Sequence, residues 1–447
     1  MKKSGFTLIE LLAVIAILAI ILVISIPKIL DVIETSKINT LKNTVKLIAA
    51  SAEKKYTENE AFLEEEEITC DSVSKLNKED YNKCTIIFDE NGIAKVSILG
   101  RGKFKGLKVI EATKTNAEVI KLEAPKYGIT AVEYINGLYE YYGDSYNFKI
   151  DNTKDQNVRY YGSNPNNYVS FNNELWRIIG VFEDNVKLIR KDSLGKLSWD
   201  SSESSVNGGY GINQWGESKD TSGNIYEGAD LQVYLNKMYY GGDTTIMCYG
   251  GSNNTTTTCP KDSKGNFLTI DETSKSFIDN HSWNIGAPNH STLNNSTTQS
   301  YDTVEFYKAE RGNATGRICN GGDACNDTVE RTTTWTGYIG LQYITDYAYA
   351  SSESVCETNM QEQDSSNAYI CKNNNWMQRS TWAWYLSPNA YPGNARYVGV
   401  VFGNGRADEY ATARPLSVFP TMYLKSNVII ESGNGSTSDP YVLKLGN

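Results

Sequence analysis

Residues 1–28 read MKKSGFTLIELLAVIAILAIILVISIPK, and the tenth decides how the rest is read. From Phe6 to Ile26 the run carries no charge except Glu10. At ~1.5 Å per residue this run reaches across a ~30 Å hydrocarbon layer. Lys2 and Lys3 precede it, so the positive-inside rule keeps the leader cytoplasmic and sends the bulk of the chain outward. A secretory signal would need a small-residue cleavage site after the apolar stretch. The text after Ile26, PKILDVIETSK, has none, and the small pair Ser4-Gly5 stands before the run instead. A carboxylate inside a bilayer is costly, so Glu10 calls for a partner. Cleavage between Gly5 and Phe6 would supply one, an α-amino group four residues before Glu10 and on the same helical face. The amine of an adjacent subunit is the second candidate, and it would make the buried charge a drive for assembly. A Glu snorkelling to the headgroups from the first turn is the plain alternative.

The helical pattern continues beyond the apolar run. Leu30, Ile33, Ile38, Leu41, Val45, Ile48 and Ala52 recur at helical steps, while Lys28, Asp31, Glu34, Lys37, Lys42 and Lys46 take the other faces. This predicts a helix of ~75 Å from Phe6 to about Tyr56 whose second half packs its stripe on a small sheet. Residues 84–110, CTIIFDENGIAKVSILGRGKFKGLKVI, read as two or three short antiparallel strands with a turn at Glu90-Asn91-Gly92. Gly100-Arg101-Gly102-Lys103 resembles a phosphate loop only faintly and is read as a hairpin turn. The acidic run Glu64–Glu67 is read as a solvated turn. Residues 129–142 predict a short helix or strand, and the polar stretch 143–158 a linker.

Composition limits the partners. The net charge of −10, from 53 acidic and 43 basic side chains, opposes binding to nucleic acid. Thirty Tyr, eight Trp and 36 Gly beside 40% hydrophobic residues suit a β-rich extracellular protein. The eight cysteines fall as four close couples, Cys70 and Cys84, Cys248 and Cys259, Cys319 and Cys325, Cys356 and Cys371, and nearest-neighbour disulfides are the favoured pairing among many. Zinc is disfavoured: no CxxC occurs, and the two histidines, His281 and His290, sit in polar text.

The segment 159–447 alternates short strands with Gly/Asn turns, and Asp230–Tyr239 reads as a helix. No catalytic constellation stands out. Ser193 with Lys196, and Ser72 with Lys75, form S-x-x-K patterns that arise by chance, and no usual base accompanies a nucleophile. The chain is therefore read as a non-enzyme. No cofactor is expected, although Asp323 and Asp327 in NGGDACND could hold calcium through oxygen ligands or could be ordinary loop residues. Trp376, Trp382, Trp384, Tyr385, Tyr391 and Tyr397 cluster late in the chain. Trp376, Trp382, Trp384 and Tyr391 are the candidates for glycan or protein contact, against the alternative that they are inner-face core.

KSGFTLIELLAVIAIL resembles the N-terminal signature of type IV prepilins and type II secretion pseudopilins. The resemblance implies cleavage after Gly5, methylation of Phe6, pairing of Glu10 with a neighbour's N-terminus in a filament, and a helix kinked or locally melted at Pro27. YVSFNNELWRIIGVF, WTGYIGLQYITDYAYA and MYLKSNVIIESGNGSTSDPYVL resemble a domain of Gram-positive surface proteins, for which no activity follows. The close of the chain is loosely similar to C-type-lectin-like folds. The expected architecture is α+β: a leader at 1–5, a long helix at 6–57 with its transmembrane part at 6–26, a small pilin-like head at 58–142, a linker at 143–158 and a large β-rich extracellular domain at 159–447. The expected role is a minor pilin or pseudopilin, membrane-anchored before assembly and displayed on a pilus or pseudopilus afterwards, with an adhesive tip domain. A surface-displayed enzyme acting on glycan or protein and an abundant shaft pilin are the alternatives. Expected partners are other pilin subunits, a prepilin peptidase, the membrane, and a glycan or protein ligand.

Overall fold

The apolar run to Ile26 and the helical periodicity that follows it form one long helix, α1 (Leu8–Phe62), which continues through Pro27. A computed structural model describes residues 8–62, 68–73, 76–202, 213–219, 223–286, 303–311, 330–358, 371–388 and 397–446. The second half of α1 is held by burial. Leu41, Val45, Ile48, Ala49 and Ala52 are buried against Ala94, Val96, Ile98, Val109 and Ala112, and each large apolar side chain so placed contributes about 1.5–3 kcal/mol. Leu30 and Ile33, expected on the same stripe, are exposed, because the sheet that covers the stripe begins only beside Ile38 and Leu41. The helix also runs past the expected end at residue 57, and Tyr56 stacks on Phe88 at 4.6 Å in its last turns.

Four antiparallel strands form that sheet in the order β1 (Tyr81–Phe88), β2 (Ala94–Gly100), β3 (Leu107–Ala112) and β4 (Val119–Lys121); the first three account for residues 84–110 as expected, and β4 lies beyond them. The β1–β2 turn lies where expected. The Asp89 carboxylate accepts from the backbone of Asn91 and Ile93, and Gly92 takes a positive φ of 72° that an L side chain would resist. A short 3-10 turn, Gly102–Phe104, joins β2 to β3, as the hairpin reading of Gly100–Lys103 required. The short helix α2 (Cys70–Val73) is tied to β1 by Cys70–Cys84.

The chain divides into two compact units, residues 1–124 with 140–143, and residues 125–139 with 144–447. Helix α3 (Ala131–Tyr142) opens on a capping box in which Thr130 Oγ1 accepts from Glu133 N while the Glu133 carboxylate accepts from Thr130 N. The stretch 143–158 is not a free linker. It contains β5 (Phe148–Ile150), antiparallel to β6 (Val158–Tyr160), and its polar residues Asp151, Thr153 and Asn157 are buried because they bond one another.

The second unit is built on a nine-stranded sheet. Its main path runs Gly340–Leu341, Pro420–Tyr423, β9 (Asn185–Arg190), β8 (Glu174–Phe182), β7 (Tyr168–Phe171), Tyr441–Leu445 and Val428–Ser432, with β6 also on β8. Tyr441–Leu445 lies parallel to β7, and Gly128 N donates to Ile430 O, so the first and last segments of the unit meet. A five-stranded sheet runs β10 (Lys196–Leu197), Leu416–Ser417, Ala383–Pro388, Tyr397–Val401 and Ala407–Ala411. The helix expected at 230–239 is present as Asp230–Val233 continuing into a π-helix at Tyr234–Tyr240. Disulfides Cys248–Cys259 and Cys356–Cys371 pair nearest neighbours as expected. Cys319 and Cys325 lie outside the described residues, as does the acidic run 64–67.

Candidate functional site

Among the described residues of the second unit two groupings of polar and aromatic side chains stand out as candidates, one enclosed and one open. The enclosed one begins with β9, a strand buried on both faces that nonetheless carries Lys187, wholly buried. Lys187 Nζ donates to Asp346 Oδ2 at 2.6 Å and lies 4.1 Å from the Tyr343 ring centre. Asp346 stands in the first turn of the helix Ile344–Tyr349, where its carboxylate also accepts from Tyr343 N at 3.0 Å. Arg159, from β6, bridges the acids, with Nη1 to Asp346 Oδ1 at 2.7 Å and Nε to Asp151 Oδ2 at 2.6 Å.

Two cations thus face two anions in a dry interior, the arrangement that makes buried charge tolerable. Burial lowers the Lys187 pKa to about 8 against the pull of Asp346. Burial pushes Asp346 upward, but Lys187 and Arg159 together hold it below the usual carboxylate range. Nearby, Glu310 is fully buried and its pKa is raised by burial to about 7, although Thr345 Oγ1 at 2.5 Å and Ser387 Oγ at 3.0 Å donate to it. These residues escaped the sequence reading. The one available signal was a lysine on the same strand face as Ile189 within the apolar run VKLI.

The open grouping lies around the five-stranded sheet. Trp382, 41% exposed, precedes the strand Ala383–Pro388, Phe402 follows Tyr397–Val401, and Tyr410 belongs to Ala407–Ala411. The Trp382 ring centre is 4.3 Å from that of Phe402 and 5.2 Å from that of Tyr410. Arg406 stands 5.7 Å from the Phe402 ring and pairs with Asp408, and Asn404 is exposed in the same turn. An exposed indole backed by two rings and flanked by an amide and a guanidinium offers flat apolar area with directional hydrogen bonds.

The other predicted contact residues separate from this group. Trp376 and Trp384 are buried core, their indole N–H groups donating to Tyr160 O and Leu197 O at 2.9 Å. They are therefore corrected from candidate ligand contacts to packing residues. Tyr391 and the calcium candidates Asp323 and Asp327 lie outside the described residues. Among the described residues no group of three or more His, Cys, Asp or Glu is placed to hold a metal.

At the other end of the chain, Gly5 and Phe6 lie outside the described residues, and Glu10 and Pro27 are within α1. Leu11, Val14, Ile15, Ile29 and Val32 are each about half exposed or more, so this part of α1 presents apolar surface that its own chain leaves uncovered. Among the described residues no helix is long and apolar enough to cross a membrane, and the span predicted at 6–26 includes residues and side chains outside that set.

Residues 1–26 match the prokaryotic N-terminal methylation motif. The match supports a type IV pilin-like signature on the residues whose charge pattern raised it, and it covers none of residues 27–447. No curated protein and no solved structure matches the chain.

Proposed function

We propose that the chain is a minor type IV pilin or pseudopilin, held in the membrane through residues 6–26 before assembly and packed by α1 among neighbouring subunits afterwards. The match of residues 1–26 to the methylation motif carries this reading. The uncovered apolar side chains of α1 support it, because an all-round apolar helix needs lipid or other helices around it. In this reading a prepilin peptidase cuts after Gly5, and Glu10 pairs with the new amine of a neighbouring subunit. The large second unit acts by binding rather than catalysis at a tip or low-copy position, with Trp382, Phe402 and Tyr410 as its contact surface for a glycan or protein. Nucleic acid is not proposed as a main partner, since a net charge of −10 opposes its phosphates.

The test is to purify surface filaments and sequence this subunit from its N-terminus. A methylated Phe6 start is expected, and an assembled subunit still beginning at Met1 would end the pilin reading. Immunogold against residues 144–447 should label filament ends, and labelling along whole filaments would end the tip assignment. Trp382→Ala should abolish cell-surface binding without loss of assembly.

A further inference from the structure

The contact between Lys187 and Asp346 has the makings of a covalent bond. Nζ and Oδ2 are 2.6 Å apart, and both side chains are completely buried. A hydrogen bond of that length to a carboxyl oxygen leaves Nζ roughly 3–3.5 Å from Cγ, the range of near-attack geometry. Phe182, Trp283, Tyr343 and Tyr423 surround the ammonium, with ring centres 4.1 to 5.7 Å away. In water a lysine and an aspartate stay an ion pair because both charges are hydrated, and an aromatic enclosure strips that hydration from them. The Lys187 pKa, lowered to about 8 by burial, reflects the same loss.

We propose that Lys187 and Asp346 condense to a side-chain amide that joins β9 to the helix Ile344–Tyr349. One ammonium proton passes along the hydrogen bond to Oδ2, and the free Nζ attacks Cγ. Negative charge gathers on Oδ1, where Arg159 Nη1 already donates at 2.7 Å, so the tetrahedral stage is met by a positioned cation. A second proton moves from nitrogen to Oδ2, the Cγ–Oδ2 bond breaks, and water departs. Of the three ammonium protons, two leave in the water and one stays on the amide nitrogen. No oxidant, reductant or cofactor takes part. One charge of each sign disappears, so the net charge of the cluster is unchanged, and Arg159 keeps Asp151 at 2.6 Å. The bond holds whether or not the chain is a pilin.

The experiment is an intact-mass measurement on the folded full chain, followed by proteolysis. The chain should weigh one water less than its sequence with disulfides, and trypsin should fail to cut after Lys187 and should release one branched peptide carrying Lys187 and Asp346. A folded chain that yields both residues in linear, unmodified peptides overturns the proposal. So does a folded Lys187→Met variant that still lacks one water, since the loss would then lie elsewhere. The wild-type reading decides the matter even where the variant fails to fold.

Discussion

Glu310 makes the stability of the second unit depend on pH in the direction opposite to that of an ordinary ion-paired acid. Its carboxyl is fully buried, and burial raises its pKa from 4.5 to about 7. The folded state therefore keeps a proton that the unfolded chain has already released. The neutral acid's stabilising contribution is whole below about pH 4.5 and drains away as the pH climbs to about 7. At about 1.4 kcal/mol per pKa unit the loss is about 3 kcal/mol. Glu310→Gln mimics the protonated form: its carbonyl can accept from Thr345 N and Ser387 Oγ, and its amide can donate to Thr345 Oγ1, three groups that surround the native carboxyl. Denaturant titrations at pH 4.5 and pH 8 would test this, followed by tryptophan fluorescence, because all eight Trp lie in the second unit. The Gln variant should gain about 3 kcal/mol relative to wild type across that interval. The comparison also cancels the slope from Asp200, which burial and Asp230 raise to about 7 in the same sense. A difference between variant and wild type that stays constant from pH 4.5 to pH 8 would refute the reasoning.

Three further outcomes follow from burial and backbone geometry. Trp384→Ala should cost the second unit about 3–5 kcal/mol in denaturant melts, whereas Trp382→Ala, at a site 41% exposed, should cost less than half as much. Ile48→Ala should cost about 2–5 kcal/mol and speed amide exchange in β2 and β3, since Ile48 is buried in the core they share with α1. Gly102→Ala should destabilise the first unit by about 1–3 kcal/mol, because Gly102 has φ +52° and an added Cβ would lie 2.6 Å from Glu79 O; unchanged amide exchange in β2 would contradict this.

The long helix, the turn at Glu90-Asn91-Gly92 and three disulfides were legible, because each rests on residues close in sequence, whereas residues 129–142 left helix and strand open and fold as α3. The errors have a common cause. Leu30 and Ile33 obey the same periodicity as Leu41, and only the extent of a distant sheet leaves them exposed. Asp151, Thr153 and Asn157 look like linker because hydrophilic residues that satisfy one another across a turn carry no separate signature in the text. Lys187, Arg159, Asp346 and Glu310 escaped the reading because their meeting depends on contacts between segments far apart in the chain. For Trp376, Trp382 and Trp384 composition was uninformative: neighbours in sequence fell on opposite sides of the boundary between core and surface.

The parallel pairing of Tyr441–Leu445 with β7 sets an order of events during synthesis. β7 and β8 emerge from the ribosome long before residue 428, yet one flank of β7 stays unsealed until the final hairpin, Val428–Ser432 and Tyr441–Leu445, arrives. A message cut short before that point would release a chain with an open strand edge, a natural target for proteases and a template for wrong pairing. The β7 edge is therefore closed only in chains whose synthesis has carried through residue 445.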